Sequence, residues 1–274
     1  MKKKVLIPVD FTKVSENAVN HAETIARHIG ADIYLLHLVG KSQHIEDGKS
    51  RMEAFKGMMK NRYAEIDFFS AVKVGNIFDD ISDVSADISS DLIVMGTHGM
   101  RGFQFLVGSN ALRIVSSSKT PFIIVQEKAI RENGYDDIIV PLDLHKETKQ
   151  KLNIVVKMAK YFKSRVHLIS PFEKDEFLAN TLKRNIAFAQ QRLADAGIDH
   201  TVVIADRKKD FDDAIISHAV INDIDLICIM NLKENSIAGL RGGGYTQKLI
   251  TNEAQIAVLL INPAETGYID IFGV

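Results

Sequence analysis

The sequence predicts an α/β protein built of two tandem domains, each a doubly wound sheet of five parallel strands. Three observations predict this fold class: a repeat that spans both halves, short apolar segments without strict polar alternation, and amphipathic helical segments between them. Strands that lack a polar face are typical of a parallel sheet covered by helices on both sides. Right-handed crossovers between such strands give a doubly wound sheet.

The repeat unit is about half of the chain. Two pairs of blocks share one offset, and a third pair is displaced by one further residue, as a single insertion between the copies would produce. The paired blocks are residues 5–10 with 138–143, residues 78–80 with 211–213, and residues 91–95 with 225–229.

The boundary between the copies is predicted from a polar segment, residues 128–135, which contains the turn-prone pair Asn133-Gly134. We therefore predict domain 1 over residues 1–130 and domain 2 over residues 131–274.

Composition and charge favour a globular protein with two cores, because 46% of its 274 residues are apolar and 25% are charged. The 34 basic and 35 acidic residues give a formal charge of -1, so we expect no nucleic-acid partner. The apolar run at residues 5–9 is too short for a signal peptide, and no apolar segment approaches the roughly 20 residues that cross a bilayer. With Cys228 as the single cysteine, we expect a cytoplasmic protein without a membrane partner.

The helical segments of copy one show clear terminal signals. Ser15 is the predicted N-cap of the first helix and Gly30 its terminator. Asp79 and Asp80 are predicted in the first turn of a later helix, where the helix dipole favours carboxylates. Residues 41–63 predict a helix that covers the sheet edge, with its methionines in the core or an interface. The predicted strands are residues 5–9, 33–39, 68–74, 92–95 and 122–125.

A glycine-rich segment after the fourth strand is the candidate ligand site. Glycines let backbone amides approach an anion without a Cβ in the way, as Gly96 and Gly99 could. Gly108 and Ser109 then open a helical pattern, so the loop would deliver an anion to a positive helix N-terminus. The glycine pattern alone is equally compatible with a tight loop.

Three motifs resemble the universal stress protein family: Val-Asp-Phe-Thr at residues 9–12, Leu-Leu-His-Leu at residues 35–38, and Met-Gly-Thr-His-Gly at residues 95–99, followed by Gly-Ser. The resemblance covers nearly all of copy one. It implies a Rossmann-like fold of the adenine-nucleotide alpha-hydrolase type, a regulatory or protective role in the stress response, and ATP or AMP as ligand, with Mg accompanying ATP. The residues it implicates in nucleotide binding are Asp10, Leu38, Val39, Gly96, Gly99, Gly108 and Ser109.

The glycine loop departs from the family in both copies. Eight residues separate Gly99 from Gly108, one fewer than in the pattern of the ATP-binding members. In copy two the aligned residues 230–236 lack both early glycines and include Glu234, whose charge would repel phosphate. We therefore predict a degenerate loop in domain 2, with Asp143 as a relic or strand-end cap and residues 242–244 forming a tight turn.

Other tempting residues favour structural roles. His37 lies in an apolar strand and is predicted to be a buried, hydrogen-bonded imidazole, whereas His98 in the glycine loop is the histidine with a candidate role. No cluster has zinc-site spacing and no nucleophile elbow surrounds Ser109, so we expect no metal site, no catalytic residues and at most weak ATP hydrolysis.

Two functions remain open at this stage: a stress protein that binds an adenine nucleotide in domain 1, or a protein-interaction module without nucleotide. An ATP-using transferase lacks an identifiable base. The final strands, residues 122–126 and 256–261, are apolar although predicted at sheet edges, which invites pairing. The family resemblance implies that they pair antiparallel within the chain as a pseudo-two-fold dimer, with a homo-oligomer as a further possibility.

Overall fold

A computed structural model provides the fold of this chain. The structure describes residues 2–97, 108–206, 208–232 and 244–263, and the side chains of these residues apart from 108–110 and 146. The chain divides between Gly134 and Tyr135 into two compact units, here named unit 1 and unit 2. Gly134 has a left-handed φ of 93°, a conformation that glycine adopts without steric cost, and it closes the turn that begins at Arg131.

Unit 1 contains a parallel sheet in the order β3-β2-β1-β4-β5. Its central strands are buried on both faces, as the lack of polar alternation predicts. Its strands are β1 (Lys3–Pro8), β2 (Ala31–Val39), β3 (Phe68–Val74), β4 (Leu92–Gly96) and β5 (Phe122–Val125), and its helices are α1 (Lys13–Ile29), α2 (Ile45–Arg62), α3 (Asp80–Asp87) and α4 (Gly108–Ser116).

The helix α1 ends where the sequence predicts but begins earlier. Gly30 caps its C-terminus with a left-handed φ of 67°, which confirms the predicted terminator. The prediction of Ser15 as N-cap is wrong: Thr12 occupies that position, and its hydroxyl accepts a hydrogen bond from the Ser15 amide at 3.4 Å. Ser15 lies inside the first turn, and its hydroxyl accepts from the Asp10 amide and donates to Asp10 Oδ1 rather than capping the helix.

The helices α2 and α3 follow their predicted patterns with one shift. The helix α2 packs against β2 and β3, and its buried face includes Met52, Phe55 and Met59, so the predicted edge-covering helix is confirmed. The helix α3 begins at Asp80, with Asp79 one position earlier as the N-cap residue. Only Asp80 therefore lies in the first turn, contrary to the prediction for the pair.

Unit 2 contains a second parallel sheet, in the order β10-β9-β6-β7-β8. The central strand of each unit is thus the first in its own chain order, as the repeat predicts. The strands are β6 (Asp137–Pro141), β7 (Arg165–Ser170), β8 (His200–Ile204), β9 (Leu226–Met230) and β10 (Ala257–Ile261), and the helices are α5 (Leu152–Phe162), α6 (Glu176–Asp195), α7 (Phe211–Ile221) and α8 (Tyr245–Ile250).

The predicted fold class is confirmed in both units, each an α/β layer structure with a five-stranded parallel sheet. The antiparallel pairing of the two final strands stays a prediction. Along the described parts of the chain, no helix combines the length and apolarity that spanning a bilayer requires.

Candidate functional site

A cavity of about 490 Å³ opens at the carboxyl ends of the unit 1 strands. This edge is where ligands bind in doubly wound sheets, and the volume lies within the roughly 300–1,000 Å³ of small-molecule sites. The cavity is bounded by the last residues of β1, β2 and β4 and by the loop after β3. Its wall is mainly apolar, with Leu36, Leu38, Ile77, Phe78 and Met95 among the lining residues.

Asp10 is an exposed carboxylate that is held in place at the rim of this cavity. Its Oδ1 accepts hydrogen bonds from the Thr12 amide at 3.0 Å, the Thr12 hydroxyl at 2.6 Å and the Ser15 hydroxyl at 2.5 Å. The Asp10 amide donates in turn to the Ser15 hydroxyl at 3.0 Å. The turn between them places Phe11 at a left-handed φ of 64°, uncommon for a bulky residue. This network fixes the orientation of the carboxylate before any ligand arrives.

The end of β2 contributes Leu38 and His37 to the cavity, but Val39 does not line it. Val39 is buried and lies on the same face of β2 as His37, since a Cβ at Gly48 of α2 would lie 3.2 Å from Val39 Cγ1 and 3.2 Å from His37 Cδ2. His37 is hydrogen-bonded as predicted, with Nδ1 2.7 Å from the Val9 carbonyl oxygen. A carbonyl oxygen only accepts, so Nδ1 carries the proton.

The prediction that His37 is buried is wrong, since the ring is half-buried and lines the cavity. The Phe11 ring, 4.4 Å away between centroids, packs against it. His37 is therefore a cavity residue that the apolar character of its strand concealed.

Gly96 lines the cavity, and the structure also gives it a packing role. A Cβ added there would lie 2.7 Å from Val14 Cγ1 and 2.8 Å from the Val14 carbonyl oxygen. The first turn of α1 thus passes so close to the end of β4 that a side chain cannot fit. A glycine is required at this position whether or not an anion binds nearby.

The loop after β3 lines the cavity, and the sequence reasoning missed it. A Cβ at Gly75 would overlap the Asp80 carboxylate, whose Oδ2 accepts from the Asn76 amide at 2.7 Å. The Asn76 side-chain oxygen accepts from the Phe78 amide at 2.9 Å. The available signal was the Gly75-Asn76 pair directly after a predicted strand, which is typical of a tight turn.

The glycine loop itself is only partly covered by the structure. Gly99 and His98 lie outside the described residues. The backbone at Gly108 and Ser109 forms the first turn of α4, so the predicted helix start is confirmed. The candidate site residues that the structure brings together around the cavity are Asp10, Leu38 and Gly96.

The corresponding strand end in unit 2 is surrounded by different side chains. Lys151 is 2% exposed, and its ammonium donates to the Pro141 carbonyl oxygen at 2.5 Å and to the Thr148 hydroxyl at 3.0 Å. Burial lowers the pKa of Lys151, although Asp143 acts in the opposite direction. Asp143 Oδ1 accepts from the His145 amide at 2.9 Å, a local cap as predicted.

An aromatic ring also lies near this strand end of unit 2. Tyr245, the first residue of α8, stacks on Phe211 with 6.3 Å between ring centroids and 8° between planes. Burial raises the pKa of the Tyr245 hydroxyl, and the Asp143 and Asp212 carboxylates raise it further. Unit 2 therefore places its own ammonium and phenol groups around the end of β6.

One group of three acidic residues occurs among the described residues, formed by Asp210, Asp212 and Asp213 with ligand atoms within 4.8 Å of one another. The Lys248 ammonium already contacts it, 3.2 Å from Asp212 Oδ2 and 2.7 Å from Asp213 Oδ1. This cation counters the charge that would attract a metal ion, so we assign no metal to the cluster.

Comparison with known proteins gives a consistent family. Residues 1–126 match the model of the universal stress protein family. A universal stress protein of Methanocaldococcus jannaschii is 28% identical over 142 residues, which are 46% of this chain and 82% of that protein. Universal stress protein G of Salmonella typhimurium is 24% identical over 145 residues, which are 46% of this chain and 100% of that protein. A crystal structure of a universal stress protein from Archaeoglobus fulgidus has a TM-score of 0.74 at 15% identity, covers 96% of this chain and 97% of its own, and shows the likeness in fold.

Proposed function

Because residues 1–126 match the model of the universal stress protein family, we propose that unit 1 binds an adenine nucleotide, ATP or AMP. We propose further that the protein is a regulatory or protective component of the stress response. The observation that carries this proposal is the cavity of about 490 Å³, which gathers Asp10, Leu38 and Gly96 at the ligand-binding edge of the sheet. Nucleotide occupancy would bias an interaction surface, and binding does not require turnover.

The adenosine part of the ligand suits the wall of the cavity. Leu38, Ile77 and Phe78 offer apolar surface to a purine ring, while Asn76 and His37 offer polar atoms at the cavity lining. The Asp10 carboxylate, already oriented by Thr12 and Ser15, would accept hydrogen bonds from ribose hydroxyls. Such charge-assisted bonds contribute about 1.5–3 kcal/mol each.

The phosphates would lie toward the N-terminus of α4, which begins at Gly108. Unsatisfied amides and the helix dipole both favour an anion there. Gly99 and Ser109 belong to the proposal on the strength of the sequence motif.

We propose that the protein is not a dedicated enzyme. Asp10 is the carboxylate among the described cavity residues, and its Oδ1 already accepts three hydrogen bonds. A single carboxylate fits a Mg²⁺ ion that is bound to ATP, because such an ion takes phosphate oxygens and water as its main ligands. We propose at most weak hydrolysis.

Isothermal titration of the full chain with adenosine, AMP and ATP tests the proposal. We expect one site per chain, and Asp10→Asn should weaken binding about tenfold to a hundredfold, since a charged acceptor is lost. The matched control is Asp143→Asn, which changes the corresponding aspartate of unit 2 and should leave affinity unchanged. If no adenine nucleotide binds at millimolar concentration, the interaction-module function takes its place.

A second pair of variants tests the sequence motif. Gly99→Val should obstruct backbone approach to the phosphates, so ATP affinity should fall more than adenosine affinity. Lys233→Ala, in the aligned loop of domain 2, should have little effect on either. Equal losses from the two variants would contradict the assignment of the site to domain 1.

We further propose, from the apolar final strands and the family resemblance, that the two domains pair antiparallel within one chain. Full-length protein should then be monomeric by light scattering, whereas residues 1–130 expressed alone should dimerise through residues 122–126. A well-behaved monomer of the short form would contradict the pairing.

A further inference from the structure

Two histidines of unit 2 direct ring nitrogens at each other beneath α7. His167 Nδ1, on β7, lies 3.1 Å from His218 Nε2 on α7, and the hydroxyl of Thr201, on the neighbouring strand β8, lies 3.4 Å from the same His167 nitrogen. His167 is 4% exposed, while His218 is half-buried and Thr201 is exposed. Three potential ligand atoms from three elements thus converge at a point that solvent can reach.

A carboxylate on the far side of His167 fixes which nitrogen is available. Asp137 Oδ1 lies 2.9 Å from His167 Nε2 and also accepts from Arg165 Nε at 2.8 Å. Because a carboxylate accepts, the neutral His167 ring carries its proton on Nε2 and presents the Nδ1 lone pair to His218. A histidine whose second nitrogen donates to a carboxylate is the usual arrangement of a metal-binding imidazole.

We propose that His167 Nδ1 and His218 Nε2 bind a divalent transition-metal ion of the zinc class, with the Thr201 hydroxyl and water at the remaining positions. Two nitrogens each about 2.0–2.1 Å from a tetrahedral zinc ion stand about 3.3 Å apart, close to the observed 3.1 Å. Imidazole nitrogens suit Zn²⁺, Cu²⁺ and Ni²⁺, whereas Mg²⁺ and Ca²⁺ prefer oxygen. In the metal-free protein His218 Nε2 donates a hydrogen bond to His167 Nδ1. On metal binding the proton of His218 moves to its Nδ1, so that Nε2 offers its lone pair to the ion.

The chemistry of His218 is compatible with this exchange. Burial of its ring lowers the pKa of His218 and so favours the neutral imidazole, the form in which histidine binds metals.

The corresponding positions of unit 1 show that the fold does not require this cluster. Tyr34 and Phe69 are paired in register on β2 and β3 as His167 and Thr201 are on β7 and β8. Their rings stack at 4.8 Å, with the Lys4 ammonium 5.6 Å from the Tyr34 centroid. Unit 1 fills the place with aromatic surface, so the nitrogen ligands are particular to unit 2.

The location separates this site from the proposed nucleotide site. Asp137 is the first residue of β6 and His167 the third of β7, so the cluster lies toward the amino ends of the strands. The nucleotide cavity is in unit 1 at carboxyl ends. The metal proposal therefore does not rest on the proposed function.

Titration of the tag-free full-length protein with Zn²⁺, followed by calorimetry, tests the proposal, with Co²⁺ absorption as a probe of tetrahedral nitrogen ligation. We expect one ion per chain, a loss of affinity of at least tenfold in His218→Gln and in His167→Gln, and a loss of about 10–100-fold in Asp137→Asn through its effect on His167. His218 is half-buried, so its variant should fold, and circular dichroism checks this for each protein.

The matched control is His200→Gln. His200 is on β8 beside Thr201, points to the opposite face, and bonds the Ile198 carbonyl at 3.0 Å, so its variant should bind Zn²⁺ normally. The proposal is overturned if the wild type binds no Zn²⁺, if binding survives unchanged in folded His218→Gln, or if Asp213→Asn rather than His218→Gln removes it.

Discussion

The carboxyl ends of β1 and β6 carry the same Pro-x-Asp sequence but are surrounded by different side chains. In unit 1, Asp10 is exposed beside an open cavity of about 490 Å³. In unit 2, the Lys151 ammonium donates a hydrogen bond to the carbonyl oxygen of Pro141, the last residue of β6. The Tyr245 ring stacks nearby on Phe211. The end of β1 therefore lies beside an open cavity, whereas the end of β6 lies beside a buried ammonium group and an aromatic ring.

This difference shows that the two units share one sheet topology while the residues after the strands differ in size, charge and exposure. Gly96 ends β4, whereas Met230, 4% exposed, ends β9 at the aligned position. Both strands pair in parallel with their neighbours, so the pairing is the same with glycine or with methionine at this position. A fold of this kind supports binding without implying it, and the site has to be argued from individual side chains.

The largest expected effect comes from giving β4 a side chain as β9 has. In Gly96→Val the new Cβ would lie 2.8 Å from the Val14 carbonyl oxygen, which belongs to the backbone of α1 and cannot turn away. We expect the free energy of unfolding to fall by at least the roughly 1–3 kcal/mol of ordinary overpacking, together with loss of nucleotide binding. Chemical denaturation followed by circular dichroism measures the first effect.

Gly40→Ala is the matched control for this prediction. Gly40 also lines the cavity, but a Cβ there meets no atom within 4 Å. Its variant should change stability by no more than about 0.5 kcal/mol. Equal stability of the two variants would contradict the close approach of α1 to β4.

The second effect concerns acid stability. Burial lowers the pKa of His21, on α1, to about 4 from its usual 6.5, while the corresponding residue of unit 2 is the buried Ile154. The unfolded chain binds a proton as the pH falls through 6.5, and the folded chain does so only near 4. Stability is therefore lost as the pH falls across this window, by up to about 3 kcal/mol.

Unfolding measured at pH 7 and at pH 4.5 checks this prediction. His21→Ile, which copies unit 2, should show a smaller loss between the two pH values than the wild type. His28→Gln alters an exposed histidine of the same helix and should keep the wild-type loss. An unchanged loss in His21→Ile would show that other groups cause the acid sensitivity.

The sequence predicted the elements of unit 1 better than the residues that line its cavity. Its five strands were predictable to within two residues because each is a segment rich in β-branched and aromatic or other apolar residues that is flanked by polar residues, glycine or proline. The Gly75-Asn76 turn and the His37 ring were missed, since a cavity forms where segments distant in the sequence meet. Val39, which the family resemblance implies beside Leu38, does not line the cavity, and its role in binding stays a prediction.

The third effect tests the charge buried in unit 2. Burial lowers the pKa of Lys151 below its usual 10.5, so the folded chain releases this proton at a lower pH than the unfolded chain. The unfolded state then binds more protons in the window between the two values, and stability rises with pH up to about 10.5. Lys151→Met should abolish this part of the rise.

At pH 7 the free energy of unfolding of Lys151→Met should differ from that of the wild type by about 1–2 kcal/mol in either direction. Removing a buried charge stabilises the folded state, whereas losing two hydrogen bonds destabilises it. Unfolding between pH 7 and pH 10 gives the diagnostic slope. Lys160→Met, at an exposed position of the same helix α5, should keep the wild-type slope. If both variants behave alike, the buried ammonium does not contribute to the pH dependence.

The smallest effect separates helix capping from nucleotide binding at the end of β1. The Thr12 hydroxyl accepts from the Ser15 amide at 3.4 Å and donates to Asp10 Oδ1 at 2.6 Å. One group thus both caps α1 and orients Asp10, the carboxylate proposed to bind the ribose. In unit 2 the N-cap position of α5 is Lys151, which makes no capping side-chain bond. Thr12→Ala should lower the free energy of unfolding by about 1 kcal/mol and weaken AMP binding only severalfold, because the Ser15 hydroxyl and the Thr12 amide still hold Asp10. Thr12→Ser keeps the hydroxyl and should retain both properties; if it loses as much stability as Thr12→Ala, the methyl group rather than the cap stabilises this turn.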